Sequence, residues 1–208
     1  VQQSRPSSAR SVAFDLLGSV LRQGHTLDQA LSDDRISALL IGPGLGGDDT
    51  ARGRLEAVLA AGKPVVLDAD ALHLLQPAML AEDGPPLLLT PHEGELSRLC
   101  EAFGVEEDTK RARAQALSGK AGCAVLAKGA DTLLAAGGEV RFFRPASRWL
   151  SVAGSGDVLA GIAAARLAVT QDAGQTACEA VQLHGRAARY AGKGFTAAML
   201  AEAVHPAL

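Results

Sequence analysis

The residues Ala153-Gly154-Ser155-Gly156-Asp157 stand directly before an Ala-rich run, Val158 to Ala168. Consecutive small residues let a backbone curl until several amide N–H groups converge, and the start of the following helix adds partial positive charge. Gly154, Ser155 and Gly156 therefore form a candidate hole for a phosphate or a developing anion. An acid in the first helical turn repels a bound anion. Asp157 makes sense there as a base that takes the proton from an attacking hydroxyl during phosphoryl transfer. It makes equal sense as an ordinary helix-start acid, and the residue types alone leave the two roles balanced.

Four more clusters follow short apolar runs: Gly42 to Gly47, Asp68 to Asp70, Thr90 to Glu95 and Lys128 to Thr132. The first spells G-x-G-x-x-G, the dinucleotide fingerprint, with Asp68 ending the next apolar run. Two points weigh against an NAD-dependent oxidoreductase. Pro43 removes an amide from the loop that would hold the pyrophosphate, and the second loop at Gly154 is left without a task. Asp68 and Asp70 read either as contacts to Mg2+-bound water or substrate, or as caps of a helix from Ala71. Lys128 reads as a nucleotide contact or a solvated strand-end lysine, with Gly129 beside it allowing close backbone approach. From residue type alone, His92 is a loop histidine satisfied by backbone. His73 and His184 sit in helical patterns as packing or edge residues, and Glu106 to Arg113 reads as a solvated helix face.

The elements that must position these residues alternate. After a polar opening, Val1 to Ser11, a helix is predicted over Ser11 to Arg22, then a strand Ile36 to Ile41 stopped by Gly-Pro-Gly. A helix follows from an Asp48 cap to a Gly62 stop. Strands are predicted at Val65 to Asp68, Leu87 to Thr90 and Cys123 to Ala127, with helices at Ala71 to Gln76, Gly94 to Phe103 and Glu106 to Gly119. A hairpin, Thr132 to Ala136 with Glu139 to Phe143, turns at Gly137-Gly138. Helices Asp157 to Val169, Gly174 to Ala191 and Thr196 to Val204 close the chain. This alternation implies right-handed parallel crossovers, read as a doubly wound sheet whose ligands collect at the strands' carboxyl ends. The four clusters then share one rim.

With 208 residues, 48% hydrophobic and only 3% aromatic, the chain suits one α/β domain, 1–208, whose Ala, Leu and Val pack helices on a parallel sheet. A net charge of −3 without basic runs excludes a nucleic-acid footprint. No apolar stretch is long enough to span a membrane, and no apolar signal core opens the chain, so a cytoplasmic protein is expected. Cys100, Cys123 and Cys178 lack metal-ligand spacing and are expected as reduced structural thiols, and no metal ligand set is assigned.

Gly-Ser-Gly-Asp-Val-Leu-Ala-Gly (154–161) resembles the Gly-Thr-Gly-Asp signature of the ribokinase-like superfamily. Ile-Gly-Pro-Gly-Leu-Gly (41–46), Val-Leu-Asp-Ala-Asp-Ala-Leu (66–72), Leu-Thr-Pro-His-Glu-Gly-Glu (89–95) and Leu-Ala-Lys-Gly-Ala-Asp-Thr (126–132) follow the motif order of one branch. That branch is the ADP- or ATP-dependent NAD(P)H-hydrate dehydratases, often fused to an epimerase. The resemblance runs from about Arg35 to the C-terminus, with residues 1–34 poorly matched. It implies a three-layer αβα fold with a mostly parallel central sheet, lacking the N-terminal part of the usual domain.

The implied reaction is repair: hydrated NADH or NADPH is phosphorylated on its hydroxyl by ADP or ATP with Mg2+, and phosphate is then eliminated. The family pattern gives Asp157 the activation of the hydroxyl and Gly154, Ser155 and Gly156 the anion hole. It gives nucleotide contacts to Lys128, Gly129, Ala130, Asp131, Thr132 and Gly156, and contacts to hydrated cofactor to Gly44, His92 and Asp157. A homo-oligomer acting with, or fused to, an epimerase is expected. Two departures stand out: Glu93-Gly94-Glu95 follows His92 where the family usually has Pro-Gly-Glu, and Arg148 to Ala153 replaces the usual Asn-Pro-Gly-x-Ala-Thr-Gly lead. The alternatives are a kinase for a small alcohol such as a vitamin precursor, and an inactive nucleotide-binding module.

Overall fold

Gly-Pro-Gly after Ile41 and apolar runs of only three or four residues in most of the other strands keep the strands short. The computed structural model of the chain describes residues 31–208. The predicted tail Val1 to Ser11 and helix Ser11 to Arg22 lie outside the described residues. The chain divides at Ser37. Before that point, the described residues include a turn in which Arg35 pairs with Asp33 at 2.6 Å.

From Ala38 onward a six-stranded sheet runs in order β1 (Leu39–Ile41), β2 (Val65–Leu67), β3 (Leu87–Leu89), β4 (Ala124–Ala127), β5 (Leu133–Ala136) and β6 (Glu139–Phe142). β1 to β4 are parallel, with Leu40 opposite Val66 and Val66 opposite Leu88. β5 and β6 are antiparallel and meet at the predicted Gly137-Gly138 turn. Among the described residues the strand order is sequential, where a doubly wound sheet was expected to reverse: it does not turn back between β1 and β6, and no switch-point crevice forms between these strands.

Sequential order with crossovers of one hand places all the connecting helices on one face. These are α1 (Asp49–Ala60), α2 (Asp70–Leu74), α3 (Glu93–Ala102) and α4 (Lys110–Ala121), each packed on the next. The other face is covered by α5 (Ser155–Thr170) and α6 (Ala173–Ala191), with α7 (Ala197–Glu202) against both. The result is the expected three layers. Val66, Leu88, Leu126 and Leu134 meet Leu159, Ile162, Ala163, Leu167, Ala177, Ala180 and Leu183 in one buried cluster. Alanines at the contact let α5 and α6 approach closely, and each buried Leu contributes about 1.5–3 kcal/mol.

Helix starts follow their caps. Asp48 accepts from the Ala51 amide at 2.8 Å. Thr109 accepts from Ala112 and starts α4 at Lys110, four residues later than predicted, so Glu106, Glu107 and Asp108 precede the helix rather than form its face. Their negative charge sits favourably ahead of an N-terminus. α5 starts two residues earlier than predicted, because Gly154 takes a left-handed conformation (φ +83°) and acts as the N-cap.

Candidate active site

Parallel strands put the residues after Ile41, Leu67, Leu89 and Ala127 on a single rim, and backbone hydrogen bonds stitch them together. Asp68 N–H donates to the Ile41 carbonyl at 3.2 Å, Thr90 N–H to Leu67 at 3.0 Å and Lys128 N–H to Pro91 at 2.7 Å. At the first strand end, Gly42 (φ +143°) lies so close to Asp68 that a Cβ would sit 1.6 Å from the Asp68 carbonyl oxygen. Ala69 is held at φ +47°, a strained conformation for a residue with a side chain. That twist sends its two neighbours in different directions. Asp68 turns inward, 1% exposed, while Asp70 accepts from the Gly46 amide at 3.0 Å.

Asp68 therefore does not cap α2, whose N-cap is Ala69 without a side-chain bond. Its Oδ1 accepts from Lys128 Nζ at 2.6 Å and from Thr90 Oγ1 at 2.8 Å. The same ammonium lies 4.0 Å from Glu95, a second buried carboxylate. Lys128, with its side chain 17% exposed, is thus not a solvated strand-end lysine. The dinucleotide-fingerprint reading also fails on this geometry. Asp68 is enclosed where a ribose-binding acid must be open, and the Asp48 cap and Asp70 already occupy amides of the loop and of the helix start.

His92 caps α3. Its Nδ1 accepts from the Gly94 and Glu95 amides at 3.0 and 3.2 Å, while Glu95 Oε2 accepts from the His92 amide at 2.7 Å. With Nδ1 accepting, the ring proton belongs on Nε2, which lies 3.3 Å from Glu95 Oε1 in a side chain that is 61% exposed. Glu93 is engaged by Arg113, so the departure from the family pattern at this position forms an ion pair between α3 and α4.

At the start of α5 the Ser155 amide donates to Val152 at 3.2 Å and its hydroxyl to Leu150 at 2.5 Å. Ser155 is a scaffold for the loop, and its N–H is already taken. Among the described residues, the amides of Gly156 and Asp157 face no protein acceptor, as expected of the first turn of a helix. The Asp157 side chain is exposed, and among the described residues it neither caps the helix nor accepts a hydrogen bond. The Lys128 ammonium lies 3.5 Å from where a Cβ on Gly156 would stand. The first turn of α5 thus carries two open amides and an unengaged carboxylate, with a cation against Gly156.

Behind this turn His184 of α6, buried, donates from Nε2 to the Ser155 carbonyl at 3.0 Å. Burial pushes the imidazole down to about 4, only partly opposed by that carbonyl. On the outer side, Thr132 Oγ1 donates to Gly129 O at 2.7 Å and closes the turn after β4. Lys110 reaches that turn from α4 and, by its hydrogen bond, holds the Asp131 carboxyl below its usual range.

Of the residues singled out in the sequence, Lys128, His92, Gly156 and Asp157 gather on the rim, and Gly129 to Thr132 flank them. Gly44 is exposed on the first loop with no atom near its missing side chain. Thr90 and Glu95 entered the sequence reading only as the bounds of a polar cluster, His184 only as a packing or edge residue and Lys110 only within a solvated helix face, and none was given a role at the site. Glu95 had the one available signal: it stands three residues after His92, the spacing of a capping box. Among the described residues no three His, Cys, Asp or Glu side chains converge as a metal cage. The donors present suit Mg2+ arriving on nucleotide phosphates, which needs at most one or two protein carboxylates. Two grooves of about 400 and 260 Å3 lie elsewhere, beside β6 and α6 and at the amino ends of β2 and β3. No helix among the described residues is long and apolar enough to cross a membrane.

Comparison with known proteins gives the family and the fold. The family profile described as Carb_kinase, NAD(P)H-hydrate dehydratase, matches residues 8–208, beginning well before Arg35. The ADP-dependent (S)-NAD(P)H-hydrate dehydratase of Neisseria meningitidis serogroup B is 36% identical over 192 residues, covering 88% of this chain and 65% of that protein. The bifunctional NAD(P)H-hydrate repair enzyme Nnr of Mycobacterium leprae is 38% identical over 157 residues, 74% of this chain and 33% of the relative. The chain thus spans about a third of the length of that bifunctional relative. Among solved structures, the Bacillus subtilis ADP/ATP-dependent NAD(P)H-hydrate dehydratase co-crystallized with ATP/Mg2+ and soaked with CoA superposes with a TM-score of 0.69 at 26% identity, covering 82% of this chain and 65% of that one. A ribokinase from Thermotoga maritima shares the fold at a TM-score of 0.60 and 20% identity, covering 90% of this chain and 61% of that one. With a matching profile over nearly its whole length and the motifs gathered on one rim, the chain belongs to the NAD(P)H-hydrate dehydratase family.

Proposed function

We propose that the protein converts hydrated NADH or NADPH back to the normal cofactor at the expense of ADP or ATP. The observation that carries this reading is the exposed Asp157 carboxylate, free of protein partners among the described residues, in the same helical turn as the open Gly156 and Asp157 amides, with the Lys128 ammonium against Gly156. The nucleotide lies along Lys128, Gly129, Ala130, Asp131 and Thr132 with its phosphates toward Gly156. The loop Gly154 to Gly156 takes the transferred group, Ser155 as its scaffold and the open amides as donors. Asp157 accepts the proton of the substrate hydroxyl as that oxygen attacks the terminal phosphorus and the bond to the leaving nucleotide breaks. The ring C–O bond of the phosphate ester then breaks, its electron pair leaving with inorganic phosphate, while the neighbouring ring carbon gives up a proton to solvent and the ring double bond re-forms. Gly44 and His92 contact the hydrated cofactor, His92 through its Nε2 edge. Mg2+, bound on the nucleotide, would neutralise developing phosphate charge. Bifunctional relatives favour action with an epimerase, and a cytoplasmic homo-oligomer is part of the same proposal.

Asp157→Asn in the full-length protein tests this. The amide keeps the shape but accepts no proton, so turnover of hydrated NADH, followed by the return of NADH absorbance, should fall about 10²- to 10⁴-fold. Nucleotide affinity should stay within a few fold. A near-normal rate would leave Asp157 a helix-start acid and remove the mechanism. Binding of nucleotide by the wild type without turnover would favour an inactive module, and phosphorylation of a small alcohol without dehydration would favour a kinase.

A further inference from the structure

Lys110 opens α4 with Arg111 next to it and no acid in the first turn, an arrangement the helix dipole disfavours by a few tenths of a kcal/mol or more. Its side chain is nonetheless only 12% exposed, and its ammonium is saturated. It donates to the Lys128 carbonyl at 3.1 Å, the Asp131 carbonyl at 3.3 Å and Asp131 Oδ1 at 2.7 Å. An ammonium has three donors, and all of them go to the two ends of one four-residue segment. Room for it comes from Gly129, where a Cβ would stand 2.8 Å from Lys110 Nζ.

We propose that Lys110 is the positioning residue of the nucleotide segment: it ties Lys128 to Asp131 into one preformed turn and neutralises Asp131 before a nucleoside di- or triphosphate arrives. This rests on the nucleotide reading above. With all three protons engaged, Lys110 acts through the segment and not on the phosphates. A segment ordered in advance does not have to be ordered on binding, so the benefit falls on nucleotide affinity rather than on the chemical step.

The test is Lys110→Met in the full-length protein, read by hydrogen exchange without nucleotide and then by kinetics. Exchange at the Gly129 amide, which donates to Thr132 Oγ1 at 3.2 Å, should rise about tenfold, the loss expected for charge-assisted bonds of roughly 1.5 kcal/mol. KM for ADP or ATP should rise about tenfold, while KM for hydrated NADH and kcat at saturating nucleotide stay within about threefold. Lys110→Arg, which keeps the charge, should recover part of the loss. Unchanged exchange in Lys110→Met overturns the clamp whatever the nucleotide does, and so does an equal loss in kcat and both KM values. Should Lys110→Met not fold, Asp131→Ala, at an exposed side chain, must raise the exchange of the same Gly129 amide, and its failure to do so overturns the proposal. A wild type with a protected segment that binds neither ADP nor ATP refutes the nucleotide reading instead.

Discussion

Lys128→Met tests the electrostatic centre of the rim. The substitution keeps the length of the side chain but removes the cation from between Asp68 at 2.6 Å and Glu95 at 4.0 Å, whose side chains are nearly buried. Removing one member of a buried ion pair costs about 3–5 kcal/mol, because the partner charge is stranded. Asp68 keeps the Thr90 hydroxyl, worth about 1 kcal/mol, so a loss of roughly 2–4 kcal/mol is expected. Urea unfolding followed by circular dichroism measures it. Asp68→Asn on the Lys128→Met background relieves the stranded charge, and the double-mutant cycle should return a coupling of about 2 kcal/mol. A loss under about 1 kcal/mol for Lys128→Met, or additive single effects, would refute the reasoning and make the pair a solvated one.

Gly42→Ala should destabilise by about 2–5 kcal/mol, from positive φ and the clash with the Asp68 carbonyl, measured by the same unfolding. His184, lowered to about 4 in the fold from an ordinary value of 6.5, binds fewer protons folded than unfolded between those limits. Its contribution is therefore complete above about pH 6.5 and lost as pH falls toward 4. The linkage amounts to about 2 kcal/mol by pH 5, and the fall in stability from pH 7 to pH 5 should be that much smaller in His184→Gln than in the wild type. Burial raises the Cys100 thiol and pushes Cys123 up to about 12, so under native conditions a thiol reagent should modify partly exposed Cys178 first, as read by mass spectrometry.

The rim was legible because Gly, Pro and Asp punctuate apolar runs wherever a parallel strand ends, which placed Gly42, Asp68, Thr90 and Lys128 together before any coordinates. The start of α5 was legible only to within two residues, since a left-handed Gly154 opens a helix without leaving a side-chain cap to read. What periodicity does not carry is the direction in which a long side chain folds. Lys110 belonged to a charge run taken as a solvated face, yet it crosses to the turn after β4. Lys128 carried a functional and a solvated reading at once, and only the inward turn of Asp68 behind strained Ala69 decides its surroundings. The sequential strand order was equally hidden, because alternation of strands and helices is common to both windings.

Each parallel strand pairs with the one made just before it, so during synthesis the sheet can grow stepwise from the N-terminal side, every new strand closing a short loop. Among the described residues, the face bearing Val66, Leu88, Leu126 and Leu134 has no such local cover. It waits for Ser155–Ala191, which leaves the ribosome after the whole sheet has been made. For that interval a nascent chain displays a ready sheet with one bare apolar side, the kind of surface that chaperones hold and that aggregates form on. Asp157 lies in the first turn of the segment that ends this exposure. A chain that has acquired Asp157 has therefore also begun to close its core.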